Sequence, residues 1–303
     1  MTNRFIPSLL IPEIFFPVKD KAGFTADIMK QLSEEGFYRA FEIGDVSQVA
    51  ERKQIADLAT ENQYEITQWL TFLIDKNGLD VSSTDSKLRK ESVKQLTESI
   101  YGAAECGASN IAFVTGADPG VKLRKDAMEG LYESVCEICE EAAAYHMNVL
   151  VEPLDRDAHK KRIIGPTNEA VGFIHRVEKQ YKNIGLAFDT AHAALNGEDI
   201  HEALEEAKHE THQIHFSNAV LDKKNHLYGD NHMPLGEPGF LTIDKIASAL
   251  RKADELGIKK EEGLRVAAEV RGRDADNYLN NERETRKILK NALDIVRDQN
   301  VMH

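Results

Sequence analysis

The chain is poor in cysteine, tryptophan and basic residues, and it lacks any long apolar run; each shortage removes a class of protein. Three cysteines in 303 residues cannot form the disulfide framework of a small secreted scaffold. Cys136 and Cys139 make a lone CxxC inside EGLYESVCEICEEAAAY, where a zinc site would need two further ligands. They read instead as small apolar residues on a helix, and Cys106 lies in another helical stretch. The opening MTNRFIPSLLIPEIFFPVKD is apolar, yet Pro7, Pro12, Pro17 and Glu13 interrupt it. It is therefore neither a signal segment nor a spanning helix, and the expected address is the cytoplasm, with no membrane partner. Lys and Arg number 38 against 51 Asp and Glu, a formal net charge of -13. Such a balance repels polyanions and argues against nucleic acid as a partner. No GxGxxG follows a strand-like run, which disfavours a dinucleotide-binding open sheet. No stretch rich in Pro, Gly or Ser divides the chain.

What remains is an ordinary globular composition, 42% hydrophobic and 29% charged, with enough apolar material for a large core. The length suits one α/β barrel, a fold that runs to about 250 residues or more as a single domain. The pattern alternates. A first strand is expected within Ser8–Phe16 and a helix over Ala22–Glu35, stopped by Gly36. YRAFEIG follows as strand two, with a helix over 46–62 whose apolar positions 46, 49, 55, 58 and 59 share a face. YEITQWLTFLI is strand three, before a helix from Thr84 to Cys106 opened by a Ser/Thr run and ended by Gly107. NIAFVTG is strand four and 123–145 its helix; VLVEP is strand five, and Thr167 is expected to cap the next helix. NIGLAFD, THQIHF and LRVAAE complete strands six to eight, with helices near 200–207, 243–256 and 278–298. Eight uninterrupted strand–helix units imply parallel pairing and closure into a single-domain (β/α)8 TIM barrel spanning residues 1–303.

Four of these runs end alike. VLVEP carries Glu152, NIGLAFD ends on Asp189, THQIHF holds His215 and LRVAAE ends on Glu269. In a barrel, the C-terminal strand ends form one ring, so these four are expected to converge on one metal ion. Three carboxylates and an imidazole suit a hard to borderline divalent cation, Mn²⁺ first, with Mg²⁺, Co²⁺ or Zn²⁺ as alternatives. Such a cation would polarise a substrate carbonyl and stabilise an enediolate.

The motifs VEPLDR at 151–156, AFDTAHAAL at 187–195, HQIHFSN at 212–218, HMPLGEPGFLTID at 232–244 and AAEV at 267–270 resemble the xylose-isomerase-like barrel superfamily. That group holds sugar isomerases, epimerases and related lyases, with an endonuclease branch. The resemblance runs from about Tyr38 to Glu269 and implies that Glu152, Asp189, His215 and Glu269 bind the metal. It also implies that Glu152 and Glu269 move the proton and that His192 contacts substrate oxygens. Glu42 resembles a family acid on the catalytic face. Further substrate contacts are expected from Trp69, Arg156, His232 on the candidate lid 229–239, and Arg271; the basic run 160–162 and Arg273 would attract an anionic group.

The expected activity is isomerisation or epimerisation of a sugar, sugar phosphate or keto sugar acid. A lyase acting on an oxidised sugar is the alternative, ahead of an endonuclease-like phosphodiesterase or a sugar binder without catalysis. The resemblance further implies a homodimer or homotetramer. Ketose 3-epimerases of the group carry a glutamate and an arginine where this chain has Ala158 and Leu221, which points away from a free ketose.

Overall fold

The structure is a computed structural model that describes residues 4–259 and 261–300. Its strands are β1 (Phe5–Leu10), β2 (Ala40–Ile43), β3 (Glu65–Trp69), β4 (Asn110–Val114), β5 (Asn148–Glu152), β6 (Ile184–Asp189), β7 (Thr211–Ser217), the short β8 (Ala219–Val220) and β9 (Gly229–Asp230), and β10 (Leu264–Glu269). Eight of them close into a barrel in the order β1-β10-β7-β6-β5-β4-β3-β2, while β8 and β9 form a separate antiparallel pair. Every barrel pairing is parallel. The expected (β/α)8 barrel is the observed fold.

Period-two alternation explains how apolar strands deliver polar groups to the centre. In β5, Val149 and Val151 join the core between barrel and helices. Leu150 instead joins an inner cluster with Leu10, Trp69, Ala112 and Ala187. Glu152 shares the parity of Leu150 and so points inward, one step nearer the C-terminal mouth. Asp189 stands in the same relation to Ala187. Likewise Ile214 and Phe216 of β7, and Val266 and Ala268 of β10, pack outward, which leaves His215 and Glu269 on the inner side.

One irregularity matters here. β6 and β7 pair Leu186 with Thr211 but Ala187 with Gln213, so the register slips by one residue and Asp189 lies opposite His215. Without that slip, Asp189 would face Ile214, an outward position; the bulge aligns the two polar side chains on one face.

Several boundaries differ from the sequence expectation. The first strand is β1, earlier than Ser8–Phe16, and Ile11–Ile14 is a short helix with Pro12 in its first turn. Proline lacks the N–H a ladder needs but fits the start of a helix. The third strand stops at Trp69, and Thr71–Asn77 is helical; Leu70 and Ile74, four apart, are both buried, a helical spacing. The following helix is Ser86–Glu105, and its cap is Asp85, which accepts from the Lys87 and Leu88 amides, in place of the Ser/Thr run. Gly107, at φ 73, leaves that helix in the left-handed conformation. Thr167 is the first helical residue rather than the cap; its amide and hydroxyl both donate to Glu198.

The helix Val49–Asn62 starts later than expected and leaves Val49 63% exposed. Its buried Glu51 accepts from the amides of Gly23, Thr25 and Ala26, so it caps the neighbouring helix Phe24–Ser33, where a negative charge is favourable. Cys139 packs in the core from the helix Arg124–Ala144.

Candidate metal and active site

At the C-terminal mouth, Glu152, Asp189, His215 and Glu269 offer four ligand atoms that all lie within 4.8 Å of one another, on four buried side chains. Asp189 divides its two oxygens. Oδ1 accepts from the amides of Ala191 and His192 and caps the short helix Thr190–Leu195. Oδ2 is buried without a hydrogen-bond partner. A buried carboxylate oxygen left alone costs free energy unless something positive meets it, so this oxygen fits a cation in the cluster.

His215 is aimed by its far nitrogen. Nε2 lies 2.8 Å from Glu42 Oε2, while Nδ1 faces Glu269 Oε2 at 3.0 Å and Glu152 Oε1 at 3.8 Å. A carboxylate behind an imidazole, fixing which nitrogen faces the ligand set, is the arrangement expected of a metal-binding histidine. Glu42 is itself enclosed, accepting from Ser8 Oγ at 2.8 Å, Trp69 Nε1 at 2.6 Å and Gln213 Nε2 at 2.9 Å. The expectation that Glu42 contacts substrate is corrected, because all its surroundings are protein and it is 1% exposed. Trp69 does line the cavity, although only 3% of it is exposed; its ring centroid lies 5.1 Å from that of His215, so it floors the site beside the cluster.

The other expected contacts divide. His192, His232 and Arg271 line the cavity above the cluster. His192 Nδ1 is 3.2 Å from Asp155 Oδ2, and its Nε2 is 3.7 Å from Asp230 Oδ2. His232 Nδ1 is 3.0 Å from Glu269 Oε1. Arg271 lies across the Phe16 ring and donates twice to Glu13, at 2.7 and 2.8 Å, so its charge is already matched. Arg156 does not reach the cavity. Its guanidinium binds the carbonyls of Arg162 and Ile163 and the Glu169 carboxylate, which makes it a brace for the loop after β5. The segment 229–239 is tied down at several points: Asn218 donates to the carbonyls of Pro234 and Gly236, and the Arg271 amide donates to His232 O. Of this segment, His232 lines the cavity. Arg273 donates to Asn231 O, away from the cluster.

Sequence reasoning overlooked Asp155, placed Asp230 on the candidate lid without a role of its own, and treated Lys160 only as one of a basic run. Asp155 Oδ1 accepts from the amides of His159 and Lys160, folding the DRDAHKK segment so that Lys160 turns inward. The Lys160 ammonium then sits 3.2 Å from Asp230 Oδ2 and 3.2 Å from His232 Nε2. An Asp that precedes a basic run by five residues is the only trace of this in the sequence.

The electrostatics separate the acids. Burial, reinforced by the charge of Glu269, pushes Glu152 up to about 8. Burial raises Asp189 to about 6 against the opposing charge of His192. Glu269 is equally buried, yet hydrogen bonds from His215 and His232 hold it well below the usual carboxylate range. Burial works against the charged form of His192, but Asp189 and the Asp155 hydrogen bond outweigh it and lift the group to about 9. His215 is raised as well, since Glu42 and Glu269 overcome its desolvation.

The sequence profile of the family described as Xylose isomerase-like TIM barrel matches residues 29–296, most of the chain. The chain belongs to the xylose isomerase-like TIM barrel family. Among solved structures, this family member resembles D-psicose 3-epimerase of Clostridium cellulolyticum H10, solved with D-tagatose, at a TM-score of 0.70 and 17% identity, covering 97% of this chain and 98% of that one. It resembles the 3-keto-D-glucoside 4-epimerase of E. coli at 0.65 and 16% identity, covering 95% and 100%. A third structure, the IolI protein with a bound zinc atom, aligns at 0.66 and 16% identity, covering 97% and 99%. At these identities the likeness is one of fold. A comparison with curated protein sequences gave no match.

Proposed function

We propose that this member of the xylose isomerase-like TIM barrel family is a divalent-metal-dependent epimerase or isomerase of a carbohydrate. The observation that carries the reading is the convergence of Glu152, Asp189, His215 and Glu269 within 4.8 Å at the floor of a cavity of about 860 Å³. The sugar epimerases among its structural relatives support the reaction class, and the zinc of a further relative supports a cation. Three carboxylates and one imidazole fit Mn²⁺ well, and Mg²⁺, Co²⁺ and Zn²⁺ are compatible. When bound, the cation supplies positive charge toward a substrate carbonyl and so acidifies the adjacent C–H.

The chain's own groups then handle the proton. Glu152 and Glu269 reach the centre from β5 and β10, with β6 and β7 between them. Inversion at carbon needs one group to remove a proton and another to return it on the opposite face. The surroundings hold the two carboxylates at very different proton affinities, which suits a base and an acid acting in turn. His232 and Lys160 extend from Glu269 toward the cavity and place donors beside substrate oxygens. The same donors favour a second reading: a dehydratase, in which one of them protonates a departing hydroxyl. Product mass separates the two, since a lyase loses water.

The test is solvent deuterium incorporation into ketoses and keto sugars with Mn²⁺ present. The wild type is expected to exchange deuterium, and Glu152→Gln and Glu269→Gln to lower the rate by about 10²–10⁴-fold while far-UV circular dichroism stays unchanged. Full activity in both variants would refute the reading.

A further inference from the structure

Beside the four-ligand cluster lies a second set of groups built to a similar plan. His192 Nε2 and His232 Nε2 stand 3.7 and 3.5 Å from Asp230 Oδ2. Ligands held about 2.0–2.2 Å from one cation lie roughly 3.0–3.5 Å apart, so each imidazole is close to sharing a cation with Asp230. Asp230 is 0% exposed, and its Oδ2 accepts no hydrogen bond among the described residues. His192 is braced as His215 is. Asp155 Oδ2 lies 3.2 Å from its Nδ1 and leaves Nε2 toward Asp230, just as Glu42 stands behind His215.

That place is already filled. The Lys160 ammonium lies 3.2 Å from Asp230 Oδ2 and 3.2 Å from His232 Nε2. It is brought there by Asp155, whose Oδ1 takes the His159 and Lys160 amides. One carboxylate therefore orients a candidate ligand with one oxygen and delivers a competing cation with the other.

The neighbouring alternative is closed in the same manner. Glu13, His232 and Glu269 also offer ligand atoms within 4.8 Å of one another, but both Glu13 oxygens accept from Arg271. An ammonium or a guanidinium supplies positive charge and donors, without the open coordination positions of a metal ion.

We infer that Lys160 is a built-in replacement for a second divalent cation: it holds the position at Asp230, limits the site to one metal ion, and leaves His192 and His232 unligated as donors to substrate. Two adjacent metal ions clamp the attacking and leaving oxygens of an in-line displacement. One ion beside an ammonium suits proton transfer next to a carbonyl instead. The inference rests on the metal-dependent reading above and specifies how many ions that site takes.

A Mn²⁺ titration of the EDTA-stripped and dialysed protein at pH 8 tests it, with free Mn²⁺ read by electron paramagnetic resonance. The wild type is expected to bind one Mn²⁺ per chain. K160M and K160Q are expected to bind two, with a spin-coupled spectrum, and D230N added to either should return the count to one. Two neutral variants are made so that misfolding of one, seen by far-UV circular dichroism, leaves the other to decide. A wild-type count of two, a count of one in a folded neutral variant, or a second ion that survives D230N would overturn the role of Lys160 and leave the metal-dependent reading standing. No Mn²⁺ bound by the wild type would sink both.

Discussion

Glu152→Gln should stabilise the metal-free protein at pH 8 while sharply lowering activity, because the wild-type carboxyl is costly to ionise where it stands. Its ordinary value is 4.5, and burial with the charge of Glu269 holds it near 8. In the folded state it therefore keeps a proton that the unfolded chain has released, so stability falls as pH rises between those two values. Each pH unit in that interval costs up to about 1.4 kcal/mol. Between pH 5 and pH 8 the accumulated loss is about 3.5 kcal/mol, and it levels off above pH 8. The Gln side chain has no proton to lose and escapes it. At roughly 2 °C per kcal/mol for a protein of this size, the melting temperature of E152Q in EDTA should gain about 7 °C on the wild type over that range. His192, held near 9 by Asp189 and Asp155 against burial with a smaller contribution from Glu152, also loses stabilising charge as pH rises from 6.5 to 9, in both proteins, somewhat less in E152Q. The assay is thermal unfolding in EDTA at pH 5 and at pH 8, followed by the same pair with saturating Mn²⁺, where the wild type should regain the lead. Parallel curves for the two proteins in EDTA would show that the cluster does not burden Glu152 as argued.

Cation binding should release protons, since Glu152 near 8 and the raised His215 must both surrender one to become ligands. Apparent affinity for Mn²⁺ should then rise between pH 6 and pH 7 by about tenfold for each proton displaced, and calorimetry in buffers of different ionisation enthalpy should report the release; a buffer-independent heat would contradict it. Glu42→Gln should weaken Mn²⁺ binding by about 10–100-fold with the fold intact, because it loosens the ion pair that turns His215 Nδ1 inward. A titration matching the wild type would leave Glu42 as mere filling.

The barrel and its four candidate ligands were legible because strand ends in a closed barrel need no loop geometry: inward parity plus a shared end already gathers Glu152, Asp189, His215 and Glu269. What escaped depended on side-chain direction over long separations. Glu42 looked as open as Glu152, since both end a strand, yet it lies a layer lower, under His215 and Trp69. Arg156 follows its strand closely and was expected at the rim, but the carbonyls of its own loop claimed it. Lys160 was the reverse case. A basic run is usually solvated, and only Asp155 cupping two amides turned this lysine toward Asp230. The bulge in β6 and β7 is likewise silent in sequence, though Asp189 could not meet His215 without it.

The alternation of charge across the site makes the strongest case for what belongs there. From Glu42 the order runs to His215, Glu269, His232 and Asp230, then to Lys160 and His192, and ends on Asp155. Negative and positive groups follow one another, so each buried charge has a built-in counter-charge, the condition under which burial is tolerable. Glu152 and Asp189 stand outside this chain. Glu152 meets only His215 Nδ1, at 3.8 Å and already engaged by Glu269, while Asp189 Oδ2 has no hydrogen-bond partner. They are the two ligand-set carboxylates that burial pushes upward. His192 and His215 offset their charge only in part, so two buried carboxylates side by side on β5 and β6 favour further positive charge at one point. A divalent cation there would meet both at once, whereas a single lysine would bring half that charge.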